Sequence, residues 1–186
     1  ILTVAARHFA KHGFAGASVE QVILECGIGK DTFYRRFSSK LALFEAMGLR
    51  ERQRIDGLFE AFSAESQGSA IERLTDAARW LLEINLAPDM IALKRIAFSE
   101  ARLFGQTMQN APSPIVDYLV GLVRELQSEG GFEAADPAEI VGFMINALVL
   151  GPMNAAMLAE EPLHDASWRA SYFERTWPRI VKGLKA

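Results

Sequence analysis

The sequence predicts an all-α fold, with an N-terminal three-helix helix-turn-helix domain, a C-terminal helical bundle and about nine helices in all. Helix signals recur along the 186 residues, both as Ser or Asp caps and as apolar residues spaced three or four positions apart. No Asn-Gly or Asp-Gly turn lies between alternating apolar runs, so no sheet is predicted. Half of the residues are apolar, which indicates a globular chain.

The first two helices are delimited by their end residues. Apolar positions between residues 1 and 12 share one helical face, and we expect Gly13 to end this helix. Ser18, with Gln21 three residues later, has the spacing of a capping box. A second helix is therefore predicted to begin there.

A tight turn at residues 26–29, Cys-Gly-Ile-Gly, separates the second helix from a third. The third helix is expected to begin near Gly29 or Lys30, to run to Phe37 and to bury Ile28, Phe33 and Phe37. Ser38-Ser39 is expected to cap a longer helix. Two helices joined by a short Gly-containing turn form a helix-turn-helix, whose second helix can lie in the DNA major groove.

Caps and prolines also mark the starts of the later helices. These starts are Ser69, Pro88, Ser113, Asp136 and Asp165. We expect Pro178 to kink the last helix, because proline removes a backbone hydrogen bond.

The third helix is basic on the side away from its apolar residues. Its exposed polar residues are predicted to be Lys30, Thr32, Tyr34, Arg35 and Arg36. Such side chains neutralise phosphates or contact base edges, and the free amides at the helix start, near Gly29, attract anions. Residues 1–50 hold seven basic and four acidic residues, a net charge of +3, whereas the remainder holds 13 and 19, a net charge of −6. This asymmetry favours a basic DNA-reading head on an acidic body.

Residues 1–47 resemble the DNA-binding domain of the TetR family of bacterial transcriptional regulators. The resemblance lies in Ala5-Ala6, Phe9, Gly13-Phe14, Ser18-Val19, Cys26-Gly27-Ile28, Lys30, Thr32, Phe33-Tyr34, Phe37 and Ser39-Lys40-Leu41. It implies a helix-turn-helix domain over residues 1–47 and an effector-binding and dimerisation domain over residues 48–186. It also implies a ligand-responsive regulator, most simply a repressor that a small, largely apolar effector releases from a palindromic operator.

The resemblance implies roles for single residues. Lys30, Asp31, Thr32, Tyr34 and Arg36 fall where the family contacts DNA bases or backbone, and Ser18 and Lys40 fall where it binds phosphates. With Gly29 and Arg35 these residues form the predicted DNA-binding set. Departures from the family pattern at Gly29, Asp31, Arg35 and Arg36 leave the operator sequence open.

An internal ligand pocket is predicted in the C-terminal bundle, since apolar sites between helices are common ligand locations. Its candidate lining residues are Phe59, Phe62, Trp80, Phe98, Phe104, Met108, Phe143 and Met144. The alternative is that these residues form an ordinary core.

The last two helices are predicted to form a homodimer interface. Residues 140–159 carry no charge, and the next helix is rich in aromatic residues, so pairing with a second copy as a four-helix bundle would bury both. The candidate interface residues are Asn146, Leu150, Met153, Asn154, Met157, Trp168, Tyr172 and Trp177. A membrane span is the alternative for residues 140–159, but the run contains Asn and Pro and lacks flanking Lys or Arg, so no membrane partner is expected.

Other chemistry is sparse. The sequence contains no nucleophile motif, and His8 and His12 lack an evident third ligand, so no enzyme, catalytic residue, metal site or cofactor is predicted. The single cysteine, Cys26, cannot form an internal disulfide and fits a cytoplasmic protein, with a redox-sensing role left open. The first residue is Ile1, so we expect further residues before it. A helical ligand-binding or scaffold protein without DNA binding is the alternative function.

Overall fold

The computed structural model describes residues 1–99, 113–159 and 165–185. Within these ranges the chain forms nine helices and no strand, which confirms the predicted fold class. The helices are α1 (Leu2–Gly16), α2 (Val19–Cys26), α3 (Lys30–Arg36), α4 (Lys40–Glu65), α5 (Ala70–Asn85), α6 (Pro88–Ser99), α7 (Pro114–Ser128), α8 (Pro137–Leu158) and α9 (Ala166–Gly183).

The helices gather into two compact units. Unit 1 comprises Ile1–Leu58 and Ala92–Asn110, and unit 2 comprises Phe59–Ile91 and Ala111–Ala186. Both α4 and α6 contribute residues to each unit. The packing therefore divides inside α4, at residue 58, and the functional boundary after residue 47 stays a prediction.

An aromatic core holds unit 1 together. Phe9 of α1 is almost wholly buried, and its ring centroid lies 5.8 Å from that of Phe14 and 5.3 Å from that of Phe44 on α4. Ile96 and Ala97 of α6 are buried in the same core. The helix-turn-helix is consequently packed against α6 as well as against α4.

The two residues expected to interrupt helices differ in their effect. At Gly13 the backbone turns to φ 68°, a left-handed conformation that glycine adopts without steric strain, and α1 resumes as far as Gly16. The first regular helical stretch therefore ends at Gly13 as expected, and in the short stretch that follows the Phe14 ring stacks on that of Phe9. Helix α9 continues through Pro178 to Gly183.

The predicted caps of unit 2 are confirmed by their hydrogen bonds. Ser69 and Glu72 form both halves of a capping box, and the Asp165 carboxylate accepts from the Trp168 amide at 2.8 Å. Ser113 and Asp136 cap α7 and α8. These local contacts fix the ends of the four helices α5, α7, α8 and α9, which pack against one another.

Helix α9 is joined to α5 by three polar contacts, one of which pairs Arg79 with Glu174 at 2.6 Å. The Arg169 guanidinium donates to Glu83 at 2.6 Å, and the Trp177 indole donates to the Thr75 hydroxyl at 3.0 Å. Trp177 is nearly fully buried, so its hydrogen bond satisfies a polar group that would otherwise be stranded in the core.

Helix α8 contains a π-helical turn at Asn146–Leu150. Pro152, just beyond it, has no amide hydrogen, and its ring would clash with the carbonyl of Leu148 in a regular α-helix. A wider turn relieves that clash. The Tyr172 hydroxyl donates to the carbonyl of Ala147 at 3.3 Å, which satisfies an acceptor within the turn.

Candidate nucleic-acid interface

The structure separates the two faces of α3 as predicted. Phe33 is 0 % exposed, whereas the six polar residues of the helix lie at the surface; these are Lys30, Asp31, Thr32, Tyr34, Arg35 and Arg36. The Phe33 ring lies 5.4 Å from that of Phe37, the buried residue that ends the helix. A helix of seven residues is unstable alone, so this anchoring holds the polar side chains in place.

Aromatic contacts restrain two of the polar residues of α3. The Arg36 guanidinium lies 5.6 Å from the Phe37 ring centroid, and the Tyr34 ring packs edge-on against Phe33 at 5.3 Å. Stacked or edge-packed side chains keep their polar ends pointed outward. Arg36 and Tyr34 are thereby positioned for contact with a phosphate or a base.

The start of α3 offers backbone amides without a side-chain cap. Gly29 occupies the N-cap position in an extended conformation and makes no side-chain capping bond. A Cβ added at Gly29 would meet only the Thr32 hydroxyl, at 3.9 Å. Asp31 lies in the first turn, where an acid interacts favourably with the helix dipole.

Ser18 is engaged within the helix-turn-helix. Its hydroxyl accepts from the Gln21 amide at 3.3 Å and donates to the Glu20 carboxylate at 3.0 Å. Hydrogen bonds from its own backbone amide and from Ser18, reinforced by the nearby charges of Lys30 and Lys40, hold the pKa of Glu20 below its usual value. The predicted phosphate contact at Ser18 thus has a carboxylate beside it, which the sequence prediction did not include.

Lys40 makes three contacts inside unit 1. Its ammonium donates to the carbonyls of Ala15 at 2.9 Å and Ala17 at 3.0 Å, and it lies 5.0 Å from the Phe14 ring centroid. The residue is partly buried. Lys40 therefore differs from the freely exposed cations of α3.

A polar cluster that the sequence prediction missed joins α1 to α2. The Glu25 carboxylate pairs with the Arg7 guanidinium and bonds the His8 ring at 2.8 Å. The hydrogen bond from His8, followed by the charge of Arg7, lowers the pKa of Glu25. The separation of 17 and 18 residues hides this pairing from any local sequence pattern.

Three of the predicted pocket residues meet in unit 2. Phe59 of α4 lies 5.4 Å from Trp80 of α5 and 6.1 Å from Phe62 between ring centroids. Tyr118 of α7, which was not predicted, lies 5.5 Å from Phe59. These four residues, Phe59, Phe62, Trp80 and Tyr118, are called the aromatic cluster below.

The remaining predicted pocket residues lie elsewhere. Met144 is buried and lines a small cavity with Leu81, Leu119, Leu148 and Trp177. The volume of this cavity is about 10 Å³, room for a single water molecule.

Two predicted pocket residues are at the surface. Phe143 of α8 is 52 % exposed, and Phe98 of α6 is 60 % exposed, so neither lines an enclosed pocket in this conformation. Phe104 and Met108 lie outside the described residues.

The predicted interface residues divide between surface and core. Asn146 and Asn154 are exposed on α8, Leu150 and Met157 are partly buried, and the Trp168 and Tyr172 rings of α9 stack at 4.8 Å. Met153 and Trp177 are covered within the chain itself. Burial of these two residues leaves them no surface to offer a second copy.

Helix α8 is long and apolar enough to cross a membrane by length and composition, yet 44 % of its most apolar stretch lies buried within the chain. Its exposed side includes Phe143 and Leu158, the latter 86 % exposed. In the described parts of the chain, no three His, Cys, Asp or Glu side chains are grouped to hold a metal ion.

Residues 1–47 match a sequence profile of the bacterial regulatory proteins of the tetR family. Over 43 residues the chain is 46 % identical to an uncharacterized HTH-type transcriptional regulator, YerO, of Bacillus subtilis (strain 168). That match covers 23 % of this chain and 15 % of the relative, so it concerns the helix-turn-helix alone.

Solved structures resemble the whole chain. A TetR-family transcriptional regulator from Pectobacterium atrosepticum has a TM-score of 0.70 and 18 % identity, covering all of this chain and 92 % of that one. The transcriptional regulator FadR of Bacillus subtilis, in complex with stearoyl-CoA, has a TM-score of 0.74 and 13 % identity, covering 98 % of this chain and 97 % of that one. At these identities the likeness establishes a shared fold.

Proposed function

We propose that the chain, whose residues 1–47 match the tetR family of bacterial regulatory proteins, is a cytoplasmic, ligand-responsive repressor without catalytic activity. It binds a palindromic operator in double-stranded DNA as a homodimer, and a small, largely apolar effector releases it. The observation that carries the proposal is α3, a short helix anchored by Phe33 that presents six polar side chains outward.

The side chains of α3 supply both kinds of contact that DNA reading needs. Lys30, Arg35 and Arg36 can neutralise phosphates or donate to guanine edges, and Thr32 and Tyr34 can contact a thymine methyl group or a phosphate. Three cations on seven residues give the helix a strongly positive outer face. A face of this kind suits the major groove.

A second copy of the chain is the proposed cover for the exposed apolar side of α8. Phe143, Leu150 and Leu158 recur along it at seven- and eight-residue intervals, with Asn146 and Asn154 between them. Two-fold pairing of α8 and α9 would remove this surface from water and form a four-helix bundle. Binding of such a dimer to a palindromic operator requires two α3 helices about 34 Å apart, the spacing of successive major grooves.

The effector is proposed to act within unit 2 near the aromatic cluster. The cluster is apolar apart from the Tyr118 hydroxyl and the Trp80 indole, and FadR, which shares the fold, was crystallised with a ligand bearing a long acyl chain. A separate cavity of about 10 Å³ beside Met144 has room for one water molecule, so an effector that entered it would have to displace side chains.

Two helices are placed to carry the response to α3. Helix α4 runs without interruption from Lys40 to Glu65, and Leu93, Ile96 and Ala97 of α6 pack into the core that holds α3. An effector that favours one position of either helix over another by several kcal/mol would shift the DNA-binding equilibrium by that amount.

DNA binding is tested by fluorescence anisotropy with labelled duplexes tiled across the region upstream of the gene. We expect one duplex to bind far more tightly than the others, with log K falling linearly as log salt rises. Tyr34→Ala should weaken that binding at least tenfold, whereas Gln67→Ala, an exposed change on unit 2, should leave it unchanged. Equal, salt-insensitive binding of all duplexes would favour a helical ligand-binding protein instead.

Dimerisation is tested separately by light scattering after gel filtration. Phe143→Asp and Leu158→Asp should each reduce the mass from that of two chains to one, since a carboxylate buried in an apolar interface is strongly unfavourable. Leu49→Asp is the matched control, an exposed leucine of unit 1 at which the same change should leave the dimer intact. Dimers in all three variants would reject α8 as the interface.

A further inference from the structure

Lys40 is a cation at an electrostatically unfavourable position. It is the first residue of α4, whose first turn contains no acidic residue. The start of a helix carries a partial positive charge, so a lysine there is disfavoured unless its ammonium lies near a compensating group.

The side chain finds that compensation at the end of α1. The Lys40 ammonium lies 2.9 Å from the carbonyl of Ala15 and 3.0 Å from that of Ala17, and both carbonyls lie at or just past the C-terminal end of α1. The end of a helix carries unpaired carbonyls and a partial negative charge. The Phe14 ring, 5.0 Å away, adds a cation–π contact.

These contacts close the helix-turn-helix on itself. Ala17 directly precedes the cap of α2, and Lys40 follows the loop that ends α3. One side chain thus ties the residue before α2 to the residue after α3, and the helix that reads DNA lies between the two tied points. Phe14 and the two carbonyls all follow the kink at Gly13.

We propose that Lys40 is a positioning residue that sets the orientation of α3, and that its ammonium binds the carbonyls at the end of α1 and not a DNA phosphate. The proposal rests on the proposed DNA-binding function and replaces the phosphate role that family resemblance implies for this residue. Two of the three ammonium hydrogens are used in the contacts to the carbonyls, and the ring of Phe14 covers a further side.

The first test compares Lys40→Met with Lys30→Met by anisotropy on the tightest upstream duplex, from low to high salt. Loss of one phosphate contact reduces the slope of log K against log salt by about 0.9. Lys30 is exposed on α3, and a homodimer carries the substitution in both copies, so Lys30→Met should remove two phosphate contacts and reduce the slope by about 1.8. Lys40→Met should bind roughly tenfold more weakly at every salt concentration, with the wild-type slope.

A slope reduced by about 1.8 in Lys40→Met would overturn the proposal, as would an unchanged affinity. Wild-type binding with a steep salt slope is measured in the same series. If the wild type showed no salt-dependent binding, DNA binding itself would be rejected, so failure of the proposed function can be told apart from failure of the proposed role of Lys40.

The second test uses only the wild-type chain, so it can be carried out even if the Lys40→Met protein does not fold. The free wild-type chain is treated with trace acetic anhydride, and the labelling of each lysine is read by peptide mass spectrometry. Lys40 should react several-fold more slowly than Lys30, because its amine is held by two carbonyls and a ring. Equal labelling of the two lysines would contradict the proposed contacts.

Discussion

Replacing Phe33 by alanine should abolish DNA binding even though every DNA-facing side chain remains. Phe33 is 0 % exposed and is the buried residue within α3. Truncating a fully buried phenylalanine costs roughly 3 to 5 kcal/mol, from lost transfer free energy and from the cavity left behind. With a urea m value of about 1 kcal/mol/M for a unit of this size, the midpoint for unit 1 should fall by about 3 to 5 M.

Urea unfolding can be followed with two signals, tryptophan fluorescence and far-UV circular dichroism, that report different parts of the chain. All three tryptophans, Trp80, Trp168 and Trp177, belong to unit 2, so their fluorescence reports unit 2 while far-UV circular dichroism reports all helices. Phe33→Ala should therefore shift part of the dichroism transition to low urea and leave the fluorescence midpoint nearer to wild type. Leu24→Ala on α2, 74 % exposed in the wild type, is the control and should change stability by less than about 0.5 kcal/mol.

Two results would show that Phe33 is not the anchor of α3. One is wild-type DNA affinity in Phe33→Ala, which would mean that α3 does not need its anchor. The other is a destabilisation of less than about 1 kcal/mol, which would mean that Phe33 is not buried as described.

Three further outcomes follow from single residues. Gly27→Ala should lower the free energy of thermal unfolding by about 1 kcal/mol, because Gly27 has φ 63°, which strains the backbone of an alanine. The new methyl group would meet no atom within 4 Å, so backbone strain is the whole effect, and Gly29→Ala, at φ −73°, should lower it much less. Trp177→Phe removes the hydrogen bond to Thr75 and should lower the free energy of unfolding by about 1 kcal/mol. If that bond accounts for the loss, Thr75→Val should cause little further destabilisation of the Trp177→Phe protein. Burial lowers the pKa of Lys94 from 10.5 to about 8, so between these pH values the unfolded chain binds more protons than the folded chain. The free energy of unfolding of the wild type should therefore rise from about pH 8 to 10.5 relative to that of Lys94→Met. Parallel profiles of unfolding free energy against pH for the two proteins would contradict this expectation.

The helix ends and the two faces of α3 could be predicted because their signals are local. The caps at Ser69, Ser113 and Asp165 act within three residues of the helix start, and Phe33 and Phe37 are separated from the polar residues by helical periodicity alone. The π-helical turn of α8 was missed although Pro152 is visible in the sequence, because a proline can also be accommodated by a kink.

Contacts between distant residues could not be predicted. Lys40 bonds carbonyls 23 and 25 positions away, and no side-chain pattern identifies a backbone acceptor. Periodicity likewise marks Trp177 and Phe143 as apolar positions without saying whether the same chain or a second copy covers them. The structure buries Trp177 within unit 2 and leaves Phe143 half exposed.

Hydroxyl-radical footprinting of the full chain on the tightest upstream duplex would show directly whether a dimer reads DNA through two α3 helices. We expect two protected half-sites related by a two-fold axis, with centres about 10 base pairs or a multiple of that apart, and loss of both in Tyr34→Ala. A single protected half-site, or a footprint that Tyr34→Ala leaves unchanged, would contradict it.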